Sequence, residues 1–232
     1  MSTKPKVDLE TTISSYFTAR RSRDLVMAAN LEITREWWSR RKNDFEFFVS
    51  QVVIKESGAG DPDAAKRRLE FLRPFPRLDI SVEVESLAAK LIFDVPLPPK
   101  AQADALHIAV AAVHEMNYLV TWNCTHTLRM QLSDPKLKRF AGLKDTSHPS
   151  SVRHKKCWRK RTKMRDTIIQ EIRNTRDEYA RQFNYDLQQM CLDLRREQER
   201  SGAQVVTFST KSAQTDLAEQ SGQREASTPA LP

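Results

Sequence analysis

Short apolar runs alternate with helical segments along the first half of the chain, and this alternation constrains the fold more than any other feature. It predicts a mostly parallel sheet with helices on both faces, because successive parallel strands need a crossover segment between them. The predicted strands are residues 6–9, 45–49, 77–80 and 118–121. The predicted helices cover residues 24–42, a segment capped by Ser50, a segment from Asp61 to before Pro74, residues 81–93 and residues 101–116. We therefore predict an α/β domain with a sheet of about four strands.

The excess positive charge of the chain is confined to one segment. The 232 residues hold 38 Lys and Arg against 30 Asp and Glu, which gives a formal net charge of +8. Residues 1–127 hold 17 of each kind, whereas residues 128–163 hold 12 basic and 2 acidic residues, and residues 164–232 hold 9 and 11. Residues 1–127 are thus electrically balanced, and the net charge alone does not indicate that they bind nucleic acid.

Several classes of protein are disfavoured by the sequence. No run approaches eighteen consecutive apolar residues and the first residues contain no apolar stretch, so neither a membrane span nor a signal peptide is predicted. The three cysteines, Cys124, Cys157 and Cys191, contain no pair at CxxC spacing, which argues against a disulfide framework and a cysteine zinc site. We expect a cytoplasmic protein without a membrane partner.

The pattern changes after residue 127. Residues 128–163 show no sustained period and are interpreted as a basic irregular segment. Residues 164–208 are interpreted as a helical hairpin that breaks at residues 184–186 and is followed by a short strand at 205–208. The Ser- and Thr-rich tail, residues 209–232, is expected to be disordered.

Acidic and polar side chains follow the predicted strands. Glu10 comes directly after the first strand, Glu56 lies in the helix after the second, and Asp104 lies in the first turn of the Ala-rich helix. Thr121 and Asn123 stand at the end of the fourth strand. Ligands bind outside the carboxyl ends of parallel strands, and carboxylates brought together there suit Mg²⁺ or Mn²⁺. A single carboxylate is usually a solvated charge, and Glu10 equally suits a helix cap, so only the combination favours a metal site.

Four motifs resemble, in order and spacing, the PIN-domain family, and in particular the VapC-type toxin ribonucleases of bacterial toxin–antitoxin pairs. The motifs are LETTIS at 9–14, VSQVV at 49–53 followed by Glu56, ADALHIA at 103–109 and LVTWNC at 119–124. The resemblance covers residues 1–127. It implies a Mg²⁺- or Mn²⁺-dependent endoribonuclease that hydrolyses single-stranded RNA.

The resemblance also implies roles for individual residues. Glu10, Glu56 and Asp104 correspond to the acidic metal-binding residues, and Thr121 to an accompanying catalytic hydroxyl. Asn123 stands where many members have a fourth acidic residue, and Glu10 replaces the more common Asp. The implied reaction is metal-assisted hydrolysis without a covalent intermediate. The two departures weaken the expectation of tight metal binding, because an amide supplies no charge and a longer side chain shifts the ligand.

Two further features have alternative interpretations. His107 shares a helix face with Asp104, so it either contacts the site or packs in the core, and the core interpretation is favoured. Trp37 and Trp38 either stack on nucleic-acid bases or pack against the core or a dimer partner, and packing is favoured. A homodimer is left open.

Residues 128–163 do not show the Ala-rich helix and fifth strand with which the family continues. A shifted reading frame is one explanation, because permitted codons allow a hidden chain that contains Leu-Ala-Asn-Ala-Ala-Ile-Arg and later Pro-Pro-Ile-Ile-Cys-Thr-Pro. In this hypothesis a second shift or a fusion joins the gene to its downstream neighbour near Met164. The alternative is an ordinary basic linker that binds RNA phosphates.

Residues 164–208 resemble, more weakly, the short helical proteins encoded beside such PIN genes. This implies an antitoxin-like segment in cis, with a separate antitoxin as the other possible partner and a plain helical hairpin as the alternative. The favoured function is a toxin-type, metal-dependent ribonuclease. The alternatives are a catalytically inactive PIN-like interaction module and a non-specific nucleic-acid binder that works through residues 153–163.

Overall fold

Five parallel strands form one sheet in the part of the chain that the computed structural model describes, residues 4–94, 101–123 and 166–208. The strands are β1 (Lys6–Leu9), β2 (Glu46–Ser50), β3 (Arg77–Leu78), β4 (Tyr118–Val120) and β5 (Val205–Val206). Their order is β4-β1-β2-β3-β5, and every neighbouring pair is parallel. Parallel pairing is possible because helical segments connect the successive strands.

Helices connect and cover these strands. Within the described ranges they are α1 (Thr11–Thr18), α2 (Leu25–Arg41), α3 (Gln51–Ser57), α4 (Pro62–Leu72), α5 (Val82–Asp94), α6 (Gln102–Val113), α7 (Thr167–Gln182) and α8 (Leu187–Arg200). No helix among them is both long and apolar enough to cross a membrane.

The predicted α/β class is confirmed, with two differences in the elements. The sheet has five strands instead of about four, because Val205–Val206 pairs with β3 at the sheet edge. Helix α1 was not predicted. Its first turns contain Thr11, Thr12, Ser14 and Ser15, which are weak helix formers, and the helix is supported instead by burial and by the Glu10 cap.

Polar caps fix where two of the helices begin. The Ser50 hydroxyl accepts a hydrogen bond from the Val53 amide at 3.3 Å, and the Asp61 carboxylate accepts one from the Ala64 amide at 2.8 Å. Pro62 then occupies the first turn of α4, where its missing N–H leaves no helical bond unmade. The starts that the sequence predicted for α3 and α4 are therefore those observed.

The period of two along the strands divides the core into two layers. Val7 and Leu9 of β1 lie in one layer with Val49 of β2, whereas Phe48 of β2 faces the other layer with Leu119 of β4. Successive side chains of a strand point to opposite faces, so the even-numbered residues of β1 face the layer that holds α6.

Trp37 and Trp38 pack in the first layer, as the favoured interpretation predicted. The Trp38 ring centroid lies 4.7 Å from that of Phe47 and 5.0 Å from that of Phe71, and the Trp37 ring lies edge-on to Phe47 at 6.1 Å. These rings belong to an aromatic cluster between α2, β2 and α4, so their role is in packing.

Helices α7 and α8 complete the second layer. Tyr179 and Ala180 of α7 and Met190 and Leu194 of α8 are buried in one cluster with the side chains of α5 and α6. The two helices are joined at Asn184 and Tyr185, both of which have positive φ. The helices share the core of the first half, while the domain boundaries predicted from the sequence stay predictions. The basic segment 128–163 and the tail 209–232, and with them the reading-frame hypothesis, lie outside the described residues.

We expect the substitution Leu194→Ala to lower the free energy of unfolding by about 2–5 kcal/mol, because Leu194 is fully buried and its removal leaves a cavity. Val82→Ala is the matched control, since Val82 is 68% exposed and its loss should change stability by less than about 0.5 kcal/mol. Urea titration of both variants measures the difference. Equal effects would show that α8 does not pack as described.

Candidate active site

The candidate active site lies at the carboxyl ends of β1 and β4. Strand β1 lies between β2 and β4. The chain passes from β1 to β2 and β3 on one side and then returns to β4 on the other side, and this reversal of strand order opens a crevice beside β1. Glu10 follows β1, and Thr121 and Asn123 follow β4. Glu56 reaches the same crevice from α3, and Asp104 and His107 reach it from α6. The structure thus brings together all five residues to which the sequence analysis assigned roles.

Glu10 both caps a helix and belongs to the acidic cluster. Its Oε2 accepts hydrogen bonds from the Thr12 amide at 2.9 Å and from the Thr121 hydroxyl at 2.8 Å. The Thr12 hydroxyl donates to the same oxygen. The two interpretations offered for Glu10 are therefore compatible, because the cap holds one oxygen and leaves Oε1 facing the crevice.

Glu56 is held from two sides. The Thr11 hydroxyl donates to its Oε2, and Nε2 of His107 lies 3.1 Å from its Oε1. Both Glu56 and His107 are buried. The favoured interpretation of His107 as a histidine that only packs in the core is therefore wrong. One helical turn after Asp104, its ring meets a carboxylate that comes from a different element.

Asn123 positions Asp104 instead of adding charge. Its Nδ2 donates to Asp104 Oδ1 at 3.1 Å, while its backbone amide donates to the Thr121 hydroxyl at 2.8 Å. Thr121 in turn donates to Glu10, so a short chain of hydrogen bonds connects two of the three carboxylates. The side-chain amide of Asn123 thus orients the Asp104 carboxylate.

Arg176 of α7 inserts its guanidinium between the three carboxylates. Its Nε lies 2.8 Å from Glu56 Oε1 and its Nη1 lies 2.5 Å from Asp104 Oδ1. Its Nη2 donates to Glu10 Oε1 and, at 2.9 Å, to Glu56 Oε2. Arg176 is 3% exposed, and the carboxylates around it are 2–6% exposed, so these ion pairs are shielded from water.

Arg173, one turn earlier on α7, extends the same contact. Its Nη2 donates to Asn123 Oδ1 at 3.1 Å. The sequence analysis assigned no role to either arginine, although a signal was present. Arg176 follows Ile172 by four residues and precedes Tyr179 by three, so it occupies the apolar face of an amphipathic helix. A charged residue at such a position indicates a buried partner of opposite charge.

Charge pairing sets the protonation states in the cluster. Burial alone raises the pKa of Glu56, but the positive charges of Arg176 and His107 outweigh it and lower this pKa to about 2. Burial lowers the pKa of His107, but Glu56 beside it raises it above its ordinary value. The same carboxylates hold the pKa of Arg176 well above its usual range. Glu56 is therefore ionised at neutral pH.

Asp8 is a further buried acid that the sequence analysis did not single out. Neither of its carboxyl oxygens has a hydrogen-bond partner among the described residues. Burial raises the pKa of Asp8 to about 7, with the negative charge of Glu10 adding to the effect. As an even-numbered residue of β1, Asp8 faces the α6 layer beneath the cluster. The positive charge of His107 opposes this rise, so the Asp8 carboxyl lies near enough to the cluster for both His107 and Glu10 to act on its pKa.

The donor set fits a divalent cation. One carboxylate oxygen from each of Glu10 and Glu56 and a ring nitrogen of His107 lie within 4.8 Å of one another. Carboxylate oxygens suit Mg²⁺ and Mn²⁺, whereas the imidazole nitrogen of His107 becomes a metal ligand only once the ring has lost the proton that Glu56 favours. Asp104 adjoins this group because Arg176 contacts it together with both glutamates. The residues that hold the guanidinium are thus of the kind that holds a metal.

The lowered pKa of Glu56 predicts that stability depends on acid pH. The ionised carboxylate stabilises the fold fully above its ordinary pKa of 4.5, and this contribution is lost as the pH falls towards 2. We expect the free energy of unfolding in metal-free buffer to fall more steeply across this range in the wild type than in Glu56→Gln. Urea titrations at several pH values measure it, with the exposed Glu36→Gln as control. The same pH dependence in wild type and Glu56→Gln would contradict the assignment.

Comparison with known proteins adds little to this description. No family model matches the chain, and no curated protein matches it. Among solved structures, the chain is similar to a chain of VapBC2 from Rickettsia felis bound to a DNA fragment from its promoter. The two share 17% identity and a TM-score of 0.41, over 60% of this chain and 99% of the other. A similarity at this level does not identify a function.

Proposed function

We propose that the chain is a metal-dependent endoribonuclease of toxin–antitoxin type whose active site is closed by its own helix α7. The observation that carries the proposal is the burial of Glu10, Glu56 and Asp104 together at the carboxyl edge of a parallel sheet. The four motifs that resemble the PIN-domain family support the same proposal, because the resemblance implies that these three acids bind the metal.

A buried acidic cluster of this kind is costly for a fold. Three carboxylates outnumber the two positive groups, the Arg176 guanidinium and the His107 ring, so the cluster stays negative, and each charge loses its hydration on burial. Apolar side chains of similar volume would stabilise the core as well or better. The cluster is therefore best explained by a function that needs concentrated negative charge, and binding of a divalent cation is such a function.

The residues of the chain have distinct tasks in the proposed reaction. Glu10, Glu56 and Asp104 hold the cation, which when bound activates water and neutralises the charge that develops on the phosphodiester. Thr12 and Thr121 fix Glu10 by donating to its Oε2, and Asn123 fixes Asp104. His107 holds Glu56 from the side opposite Thr11. Preorganised ligands of this kind reduce the reorganisation that the reaction requires.

Helix α7 closes the site by supplying a substitute cation. The guanidinium of Arg176 contacts all three carboxylates, so it and a metal ion compete for the same oxygens. Helix α8 also binds the helix pair to the first half of the chain. Arg195 pairs with Glu85 at 2.7 Å, and Gln198 donates to Asp79 at 2.8 Å. Residues 164–208 thus act as an antitoxin-like segment in cis.

Opening the site should reveal ribonuclease activity. We expect Arg176→Glu, which repels α7 from the acidic cluster, and Arg176→Ala to cleave single-stranded RNA in Mn²⁺ at least tenfold faster than the wild-type chain. Arg181→Ala is the matched control, because Arg181 lies on the same helix but pairs with Asp177 in solvent. Gel analysis of a labelled RNA measures the rates.

The double variant Asp104→Asn/Arg176→Glu distinguishes this activity from that of a contaminating nuclease. It should cleave RNA about a hundredfold more slowly than Arg176→Glu, or slower still. Cleavage that survives this change would remove Asp104 from the mechanism. If none of the opened variants cleaves RNA, the chain is a catalytically inactive interaction module, the alternative favoured by the occupation of the pocket by Arg176.

Competition between Arg176 and metal predicts a second measurable effect. We expect Mn²⁺ to raise the thermal unfolding midpoint of Arg176→Ala by several degrees, because the cation replaces the missing positive charge and binds only the folded state. The wild type and Arg181→Ala should shift little, since their carboxylates are already paired. Differential scanning fluorimetry measures the shifts. Equal shifts in all three proteins would place the metal elsewhere.

Two other expectations stay predictions. A non-specific nucleic-acid binder working through residues 153–163 would bind RNA with a steep dependence on salt, and that segment lies outside the described residues. A cytoplasmic location and a homodimer likewise rest on the sequence alone. Neither affects the assignment of the acidic cluster.

A further inference from the structure

A cavity of about 360 Å³ adjoins the acidic cluster between α1, α2, the end of β4 and α7. Residues of the first half and residues of α7 form opposite walls. The first wall consists of Tyr16, Asn30 and Trp122, and the α7 side includes Asp166, Ile169 and Arg173. Its volume lies within the range of small-ligand pockets, about 300–1,000 Å³.

Two residues that line the cavity, Trp122 and Arg173, connect it to the candidate active site. Trp122 lies between Thr121, which donates to Glu10, and Asn123, which donates to Asp104. Arg173 lines the cavity and also donates to Asn123. A polymer whose phosphate lies at the carboxylate cluster would therefore place its next unit at Trp122.

Trp122 presents a fixed aromatic surface. Its ring centroid lies 5.7 Å from that of Tyr16, and its indole N–H donates to the Thr34 hydroxyl at 2.9 Å. Its backbone amide donates at 2.9 Å to the hydroxyl of Thr12, the residue that also holds Glu10. The side chain is half-buried, so one part of the ring is open to the cavity. A ring fixed in this way stacks with little further loss of conformational entropy.

Two hydrogen-bond donors face the same cavity. The Tyr16 hydroxyl and, at 3.4 Å, Nδ2 of Asn30 both donate to Oδ2 of Asp166, the residue that caps α7. In the closed state Asp166 therefore supplies an acceptor oxygen. When α7 leaves, these donors lose that acceptor and become available to an acceptor oxygen of another molecule.

We propose that Trp122, Tyr16 and Asn30 form a binding site for one nucleobase of single-stranded RNA, and that α7 covers this site in the closed state. The base stacks on Trp122, and its carbonyl oxygen accepts from Tyr16 and Asn30 in place of Asp166. This inference rests on the proposed function, since it places the base beside a phosphate held at the acidic cluster. In the closed state two groups of the α7 segment therefore occupy the places of the ligands. The Arg176 guanidinium takes the place of the cation, and the Asp166 carboxylate takes the place of the base carbonyl.

The test compares RNA binding by the opened full-length chain, Arg176→Glu, with and without Trp122→Leu. Binding of a short uridine oligoribonucleotide and of a matched abasic ribose-phosphate oligomer is measured by fluorescence anisotropy in Mn²⁺, with Asp104→Asn added to every protein so that cleavage is suppressed. Trp122→Leu should weaken binding of the uridine oligomer about tenfold and leave binding of the abasic oligomer unchanged. Trp122→Phe, which keeps an aromatic face, should restore most of the affinity.

Tyr118→Leu is the matched control. Tyr118 is a 40% exposed aromatic residue at the start of β4, the strand that Trp122 follows, and it does not line the cavity. The Tyr118→Leu variant should bind the uridine oligomer and the abasic oligomer with unchanged affinity. Equal weakening of both oligomers by Trp122→Leu would indicate a purely structural role and overturn the base site. If the opened chain cleaves RNA in Mn²⁺ but Trp122→Leu does not weaken binding of the uridine oligomer, the base site is refuted and the proposed ribonuclease function is retained. If the opened chain neither binds nor cleaves RNA, both are refuted.

Discussion

The ion pairs between Arg176 and the three buried carboxylates are the interaction on which the rest of the structure depends. Glu10 caps the start of α1, whereas Glu56 lies in α3 and Asp104 in α6, and the mutual repulsion of these carboxylates in a shielded crevice would otherwise drive the three helices apart. A planar guanidinium with several donors is suited to contact all three at once. The first half of the chain is thereby joined, at its most highly charged point, to a helix near the end of the described chain.

Helix α7 both stabilises the core and neutralises the acidic cluster, and both effects depend on the same docked position of the helix. The helix completes the core through Tyr179 and Ala180, and it neutralises the acidic cluster through Arg176. The contacts that stabilise the fold are therefore those that, in the proposed function, keep a cation and a substrate away. In the proposed function, release of α7 would expose a cluster whose charge needs another cation, so metal binding and helix docking would be alternatives of one site.

Much of the fold and part of the site follow from local patterns. The strands were recognisable because apolar runs of strand length alternate with helical segments, and Ser50 and Asp61 mark helix starts through their caps. The convergence of Glu10 with Thr121 and Asn123 follows from the rule that parallel strands end at one edge of the sheet. Helix α1 was missed because its Thr- and Ser-rich turns have low helix propensity, and the role of His107 because a helix pattern shows which residues share a face but not what that face meets.

The sequence by itself determined the α/β architecture, the caps and the edge at which the acids gather, because these depend on period, spacing and chain direction. Only the tertiary structure decided that Arg176 occupies the acidic cluster, that Asp8 is buried with no hydrogen-bond partner in the described part of the chain, and that Trp122 borders a cavity. Arg176 and Glu10 are separated by 166 positions, and their contact depends on how a helix pair packs across the sheet. Local periodicity predicts that a side chain is buried, whereas its partner is set by the packing of distant elements.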